Sequence, residues 1–177
     1  MRIETGTNYA ICREKLYVEE GFRSNIKADP GKETVYGISR RYWPNLSIWP
    51  HVDLFSAKRI SRQELDNRIL PTISDFYRRE FWNKVNGDGI AKIDIKIAHL
   101  VFSIAVNISP KYAIQCLQRA LNCLNLNKKL WDNLKPDGAA GNMTISALTA
   151  CKNNNRNQFA AFFIGCQTGC YYMPILS

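Results

Sequence analysis

The chain has 177 residues, 46% hydrophobic and 22% charged, which fits a globular protein and excludes disordered, collagen-like and fibrous architectures. No stretch approaches the roughly 18 uninterrupted apolar residues of a bilayer span, so no integral membrane association is expected. Lys and Arg total 24 against 15 Asp and Glu, and the net charge of +9 favours polyanionic partners such as nucleic acid, anionic lipid or acidic wall polymer.

The basic residues are dispersed as pairs, Arg40-Arg41, Arg78-Arg79 and Lys128-Lys129, which describes a diffuse field and not a groove reader. Without a helix-turn-helix, RRM or zinc pattern, no nucleic-acid partner is expected. The N-terminal sequence MRIETGTNYAICREKL lacks the apolar core of a secretory signal, so the expectation is synthesis in the cytoplasm. The six cysteines form no C-x-x-C pair and the only histidines are His51 and His99, so neither a metal site nor a cofactor is expected. Cys12, Cys116, Cys123 and Cys151 lie in or beside apolar runs and read as reduced, buried thiols.

In chain order, residues 8–20 predict a helix with Ala10, Ile11 and Leu16 on its buried side, stopped by Gly21. Phe22 to Ile38 is turn-rich. Asp29-Pro30-Gly31 followed by Thr34, Val35 and Tyr36 predicts a small hairpin or Ω-like loop. Tyr42 to Asp53 reads as a proline-punctuated connection carrying Trp43, Trp49 and His51. Ser61 with Glu64 forms a capping box that opens a helix, and Pro71 is expected to interrupt or kink it. Asn86 to Gly89 reads as its closing turn.

Asp94 to Ile108 is the clearest apolar helix, with Ile97, Leu100, Val101, Ile104, Ala105 and Ile108 at i, i+3, i+4, i+7 spacing. A second starts at Pro110 and aligns Ala113, Cys116, Leu117, Ala120, Leu121 and Leu124. Asn142 to Lys152 and Phe159 to Tyr172 complete the set. The fold class is mainly α, a helical domain with one small N-terminal β-hairpin.

Glu20 at a helix end and Asp29 in a turn are the kind of carboxylate pair that glycoside hydrolysis uses. One acid protonates the leaving oxygen and the other stabilises the cationic centre or activates water. The first requires a raised pKa and a partly dry setting, which Phe22, Tyr36 and Trp43 are placed to supply. On spacing alone, a helix-end Glu and a turn-capping Asp are equally ordinary structural residues.

The segment EEGFRSNIKADPGKETVYGIS resembles the N-terminal signature of the glycoside hydrolase 108 lysozymes, approximately E-G-G-Y-x-N-D-P-x-D-P-G-G-E-T-x-Y-G-I-[ST]. Counting back from Thr34 sets the family's acid on Glu20 and not Glu19. Further along, IAHLVFSIAVNIS, AIQCLQRALN and DGAAGNMTISAL are similar to the family's C-terminal peptidoglycan-binding-type region. Phe22, Arg23, Ile26-Lys27, Lys32 and Ser103 depart from the pattern, and the C-terminal FFIGCQTGCYYMPILS follows it loosely.

The resemblance implies a lysozyme-like α+β fold, with a catalytic region over 1–90 and a peptidoglycan-binding-type region over 91–177 packed as a single compact unit. It implies an N-acetylmuramidase with peptidoglycan glycan strands as its partner, acting as a monomer without metal or cofactor. The site residues it implies are Glu20 as general acid, Asp29 as second carboxylate and Thr34 as the hydroxyl that orients Asp29 or water. Tyr36 and Asn107 are candidates for binding sugar, each with a structural role as the alternative. Trp43 and Trp49 either stack on sugar rings or pack their loop. His99, Gln118 and Thr144 read as scaffold. The implied setting is host-cell lysis by a phage or prophage, after holin-type or other release, or wall remodelling. The alternative is a non-catalytic wall-binding or secretion-accessory protein of the same fold.

Overall fold

The computed structural model describes residues 6–25 and 33–176. The chain divides into two compact units, Met1–Arg78 and Arg79–Ser177, whereas the sequence reading draws its line after residue 90.

In the first unit, helix α1 spans Asn8–Glu20. Thr7 Oγ1 caps it by accepting the Ala10 N–H at 3.1 Å, and Gly21, at φ 70°, ends it. The bounds agree with the sequence reading, but the buried face differs. Tyr9, Ala10, Cys12, Arg13 and Leu16 are buried, while Ile11 is 43% exposed. A polar anchor explains the rotation. Buried Arg13 donates from Nη1 to Ser74 Oγ at 2.7 Å, and the Tyr9 hydroxyl donates to the Ser74 carbonyl. A buried cation is stable only with such partners, and hydropathy alone would have turned Arg13 outward.

The expected hairpin is present and gains a third strand. β1 (Arg23–Asn25) pairs antiparallel with β2 (Glu33–Val35), which pairs with β3 (Ile38–Ser39). Thr34 stands opposite both Ser24 and Ser39. Tyr36 and Gly37 join β2 to β3 at φ 48° and 78°, the two positive values of a type I′ turn.

The proline-punctuated connection contains a helix that the sequence reading missed. α2 spans Trp49–Ser56, with Pro50 in its first turn, where a missing N–H costs nothing. His51 is therefore helical and not a loop residue. α3 (Arg62–Tyr77) opens on the expected cap, Ser61 Oγ accepting the Glu64 N–H at 3.2 Å. Pro71 lies inside α3 without ending it. An internal proline costs about 3 kcal/mol, and burial of Leu65, Ile69, Ile73 and Phe76 on both sides outweighs it.

A π-helical turn at Arg78–Trp82 and a 3₁₀ turn at Asn83–Val85 follow α3. Asn86 to Gly89 is not a closing turn. The break is confined to Asn86, at φ 53°, and Gly87 starts α4 (Gly87–Ile93). A Cβ on Gly87 would lie 2.3 Å from Trp82 Cδ2, so this glycine serves close packing against a buried indole. Helices α5 (Ile95–Asn107), α6 (Pro110–Leu124), α7 (Asn142–Asn153) and α8 (Asn157–Leu176) follow. The expected α6 stripe is buried throughout. Cys123 is the exception to the thiol reading, since it sits on the exposed side of α6. Buried Gln118 fixes the loop before α7. It donates to Asp137 Oδ1 and Thr144 Oγ1 at 2.8 and 3.2 Å and accepts from the Gly138 N–H at 3.0 Å. Among the described residues no helix is long and apolar enough to cross a membrane.

Asp94 ties three helices of the second unit. It caps α5 by accepting the Lys96 and Ile97 N–H groups, and it accepts from Lys152 Nζ on α7 at 3.1 Å and Asn157 Nδ2 on α8 at 2.8 Å. Burial alone would raise its pKa, but the bonds from Lys152, Ile97, Asn157 and Lys96 outweigh burial and hold it below the ordinary value. Asp94→Ala should therefore lower stability by about 2 kcal/mol in chemical denaturation at neutral pH. Because the folded pKa is depressed, the stabilisation is present above the unfolded value of about 3.9 and is lost as pH falls through the folded one. The gap between wild type and variant should accordingly shrink below about pH 4.

Candidate active site

Glu20 occupies the last turn of α1, whose other end is anchored to α3 through Tyr9, Arg13 and Ser74. Its half-buried carboxyl points at the β2–β3 turn. A Cβ on Gly37 would lie 2.7 Å from Glu20 Oε2 and 2.7 Å from the Tyr77 hydroxyl oxygen, so both groups occupy space that any other residue would fill. Gly37 also takes the left-handed conformation that the turn demands. The Tyr77 hydroxyl donates to the Tyr36 carbonyl at 2.7 Å, which fixes the turn against the end of α3.

This enclosure shifts the equilibria of both groups. Burial pushes the Glu20 carboxyl above the ordinary glutamate value, and the charge of neighbouring Glu19 pushes it the same way. Burial likewise raises the Tyr77 hydroxyl, with a further contribution from the Glu20 charge. Among the described residues, no hydrogen bond to the Glu20 carboxyl stabilises its charged form. A carboxyl in such a setting retains its proton to higher pH and can deliver it, which is the property a general acid requires.

Tyr36 lies in the same cluster. Its ring packs against Tyr17 and Phe22, with centroids 5.0 and 5.6 Å away. Its hydroxyl donates to Asp66 Oδ1 at 3.1 Å and accepts from Arg62 Nη2 at 2.8 Å, while Arg62 Nε donates to Asp66 Oδ2 at 2.7 Å. The Arg62 guanidinium also lies over the Phe22 ring, 3.1 Å from its centroid. Phe22, one of the departures from the family pattern, thus supplies a wall to this network. The bonds and ring contacts hold Tyr36 in a left-handed conformation that costs a non-glycine residue about 1 kcal/mol. A cavity of about 240 Å³ borders the cluster, lined by Arg13, Glu14, Tyr17, Val18, Tyr36 and Leu70.

The other expected residues are placed as follows. Thr34 is half-buried at the centre of β2, and strand alternation sets it on the face opposite Glu33 and buried Val35. Glu33 forms an ion pair, accepting from Arg40 Nη1 at 2.9 Å, and Arg40 also grips Asp53 with both Nη atoms. Asp29 falls in the segment that joins β1 to β2 and lies outside the described residues. Asn107 belongs to the second unit, exposed at the end of α5, where its Nδ2 donates to the Ser103 carbonyl at 3.0 Å. The structure thus joins Glu20 to Gly37, Tyr36 and Tyr77. Tyr77, Arg62, Asp66 and the influence of Glu19 were not foreseen. Their only local signal was the YGI tripeptide, which marks the turn without naming its partners. Among the described residues, no group of three or more His, Cys, Asp or Glu is arranged to hold a metal ion.

Two family profiles match the chain. The first, Glycosyl hydrolase 108, covers residues 13–108, and the second, described as "Predicted Peptidoglycan domain", covers residues 112–177. Nothing matches among curated proteins. Among solved structures, that of SagA from Brucella abortus is similar in fold. It has a TM-score of 0.51 at 23% identity, over 86% of this chain and 76% of that one.

Gly37→Ala tests the enclosure. A Cβ there collides with Glu20 and Tyr77 and strains the turn, so denaturant unfolding should show a loss of about 2 kcal/mol. A loss under about 0.5 kcal/mol would mean that the three groups are not in contact.

Proposed function

The chain belongs to the glycosyl hydrolase 108 family, and on that premise we propose that it is an N-acetylmuramidase with Glu20 as its general acid. Membership makes it a glycoside hydrolase of lysozyme-like type that acts on peptidoglycan, the polymer named by its second family match. The finer reading cleaves the β-1,4 bond between N-acetylmuramic acid and N-acetylglucosamine. The observation that supports Glu20 as the acid is its carboxyl, raised in pKa and seated against Gly37 and Tyr77 at the end of an anchored helix.

In this mechanism protonated Glu20 transfers its proton to the glycosidic oxygen as the C1–O bond breaks, so the departing sugar leaves as a neutral alcohol. Positive charge then develops at C1 and the ring oxygen. Asp29, which follows β1 and precedes β2 in the sequence, is the residue proposed to stabilise that charge or activate water, with Thr34 orienting Asp29 or the water. Water adds to C1 and gives its surplus proton to the carboxylate that activates it, either ionised Glu20 directly or Asp29, in which case exchange with solvent reprotonates Glu20 and deprotonates Asp29. Tyr77 and Gly37 do not touch substrate in this scheme; they position the acid. Tyr36 is proposed as a sugar contact through the edge of its ring, because Asp66 and Arg62 hold its hydroxyl and its N–H and carbonyl are bound to the Phe22 carbonyl and the Tyr77 hydroxyl. Asn107 is proposed as a sugar contact of the second unit. The net charge of +9 draws the protein to an anionic wall. The substrate sets the place of action: the wall, reached after release from the producing cell, in phage-mediated lysis or in remodelling.

Loss of turbidity of outer-membrane-permeabilised Gram-negative cells tests the assignment. Glu20→Gln should clear them at least about 100-fold more slowly than wild type while retaining its Tm. Equal clearing by both proteins would show that Glu20 is the wrong acid. The released fragments should carry reducing N-acetylmuramic acid ends, and reducing N-acetylglucosamine ends would contradict the proposed bond. Glu19→Gln removes the charge that helps to raise Glu20. The Glu20 pKa should fall, and the high-pH limb of the activity profile, where the acid loses its proton, should move to lower pH.

A further inference from the structure

The connection between β3 and α2 carries Trp43, and α2 opens on Trp49; the mechanism uses neither. Trp49 is a core residue. It is 2% exposed, its Nε1–H donates to the Trp43 carbonyl at 2.6 Å, and the Arg40 guanidinium lies 5.3 Å from its ring centre. Tyr42 and Trp43 differ from it, being 68% and 39% exposed. With Pro44, Asn45 and Leu46 they line a depression of about 260 Å³.

The depression is rigidly built. The Trp43 N–H donates to the Ser39 carbonyl at 3.0 Å, and its own carbonyl accepts from both Trp49 Nε1 and the Leu46 N–H. The Phe76 ring meets the Trp43 ring edge-on, with centroids 4.7 Å apart and planes at 81°. Phe76 in turn meets Tyr77 at 5.4 Å and 77°. Tyr77 is the residue whose hydroxyl shares the space beside Gly37 with Glu20. A run of ring contacts within the first unit therefore leads from Trp43 through Phe76 to Tyr77, beside the acid.

Exposed aromatic rings, that of Trp43 fixed against Phe76, beside an open carboxamide suit a particular ligand chemistry. A pyranose presents a face of C–H groups that packs on the negative face of an aromatic ring, while its rim presents hydroxyl and acetamido groups. Asn45 is exposed, and among the described residues its side chain makes no hydrogen bond, so its carboxamide is available as both donor and acceptor. Such rigid aromatic surfaces carry a disproportionate share of binding energy, because little side-chain entropy is lost on contact. We propose that the Tyr42–Leu46 depression is a subsite for an N-acetylated sugar ring of the glycan strand, away from the bond that is cleaved. This rests on the peptidoglycan reading above.

Tyr42 is the residue to vary, because its exposure separates binding from folding, whereas Trp43 also packs on Phe76. Steady-state hydrolysis of soluble, uncross-linked glycan strands by Tyr42→Ala should show a KM raised about tenfold, equivalent to about 1.4 kcal/mol, with kcat within about twofold. Tyr42→Phe should restore KM, since stacking needs the ring and not the hydroxyl. Calorimetry with the same strands, in a Glu20→Gln background, should show the same tenfold loss in affinity. An unchanged KM and affinity in Tyr42→Ala would overturn the subsite, as would a fall in kcat with KM unchanged. Absence of hydrolysis by the wild-type protein would instead contradict the muramidase reading. The calorimetric comparison would still decide the subsite.

Discussion

The close approach at Gly37 is the constraint on which the site depends. A type I′ turn demands positive φ at both central residues, and here the second must also lack a Cβ, because a carboxyl and a phenol already occupy that space. One residue thus satisfies a backbone requirement and a packing requirement together. The turn brings the β2–β3 end of the sheet, the end of α1 and the end of α3 to one point. Without that contact, Glu20 would be an ordinary solvated carboxylate at a helix terminus.

The surrounding structure keeps the contact in place. α1 cannot roll away from α3 while Arg13 and Tyr9 are bound to Ser74. The turn cannot relax while Tyr77 holds the Tyr36 carbonyl and the Arg62–Asp66 pair holds its hydroxyl. These bonds bear the conformational cost of Tyr36 and the desolvation cost of Glu20, both of which oppose folding. Binding energy stored in this form is what allows a fold to present a carboxyl that resists ionisation. The rings of Trp43, Phe76 and Tyr77 extend the same wall outward to the aromatic surface proposed as a subsite.

Much of this was legible in the chain. The bounds of α1, the Ser61 cap of α3, the hairpin after Phe22 and the buried stripe of α6 follow from short-range rules, since caps, turns and periodicity act within a few residues. The resemblance singles out Glu20 as the proposed acid, which spacing alone could not separate from an ordinary helix-end glutamate. What escaped the sequence depends on distant partners. Ile11 and Arg13 exchange their expected burial because Ser74 lies on another helix. Gly87 looks like a turn residue until Trp82 is seen against it. Pro71 survives within α3 because packing on both sides outweighs its local cost. Tyr77 carries no motif at all, and its role exists only because folding sets its hydroxyl beside residues some forty positions earlier.

The central claim is that this enclosure keeps Glu20 protonated above the range of ordinary glutamates. Carbon-13 NMR titration of the Glu20 side-chain carboxyl in the folded protein, assigned by difference from Glu20→Gln, tests it most directly. The account predicts a midpoint clearly above about 4.3, the value of an unperturbed glutamate. A midpoint at or below that value would contradict it: the carboxyl would be solvated or paired, and the contact at Gly37 would not confer the acidity on which the proposed chemistry depends.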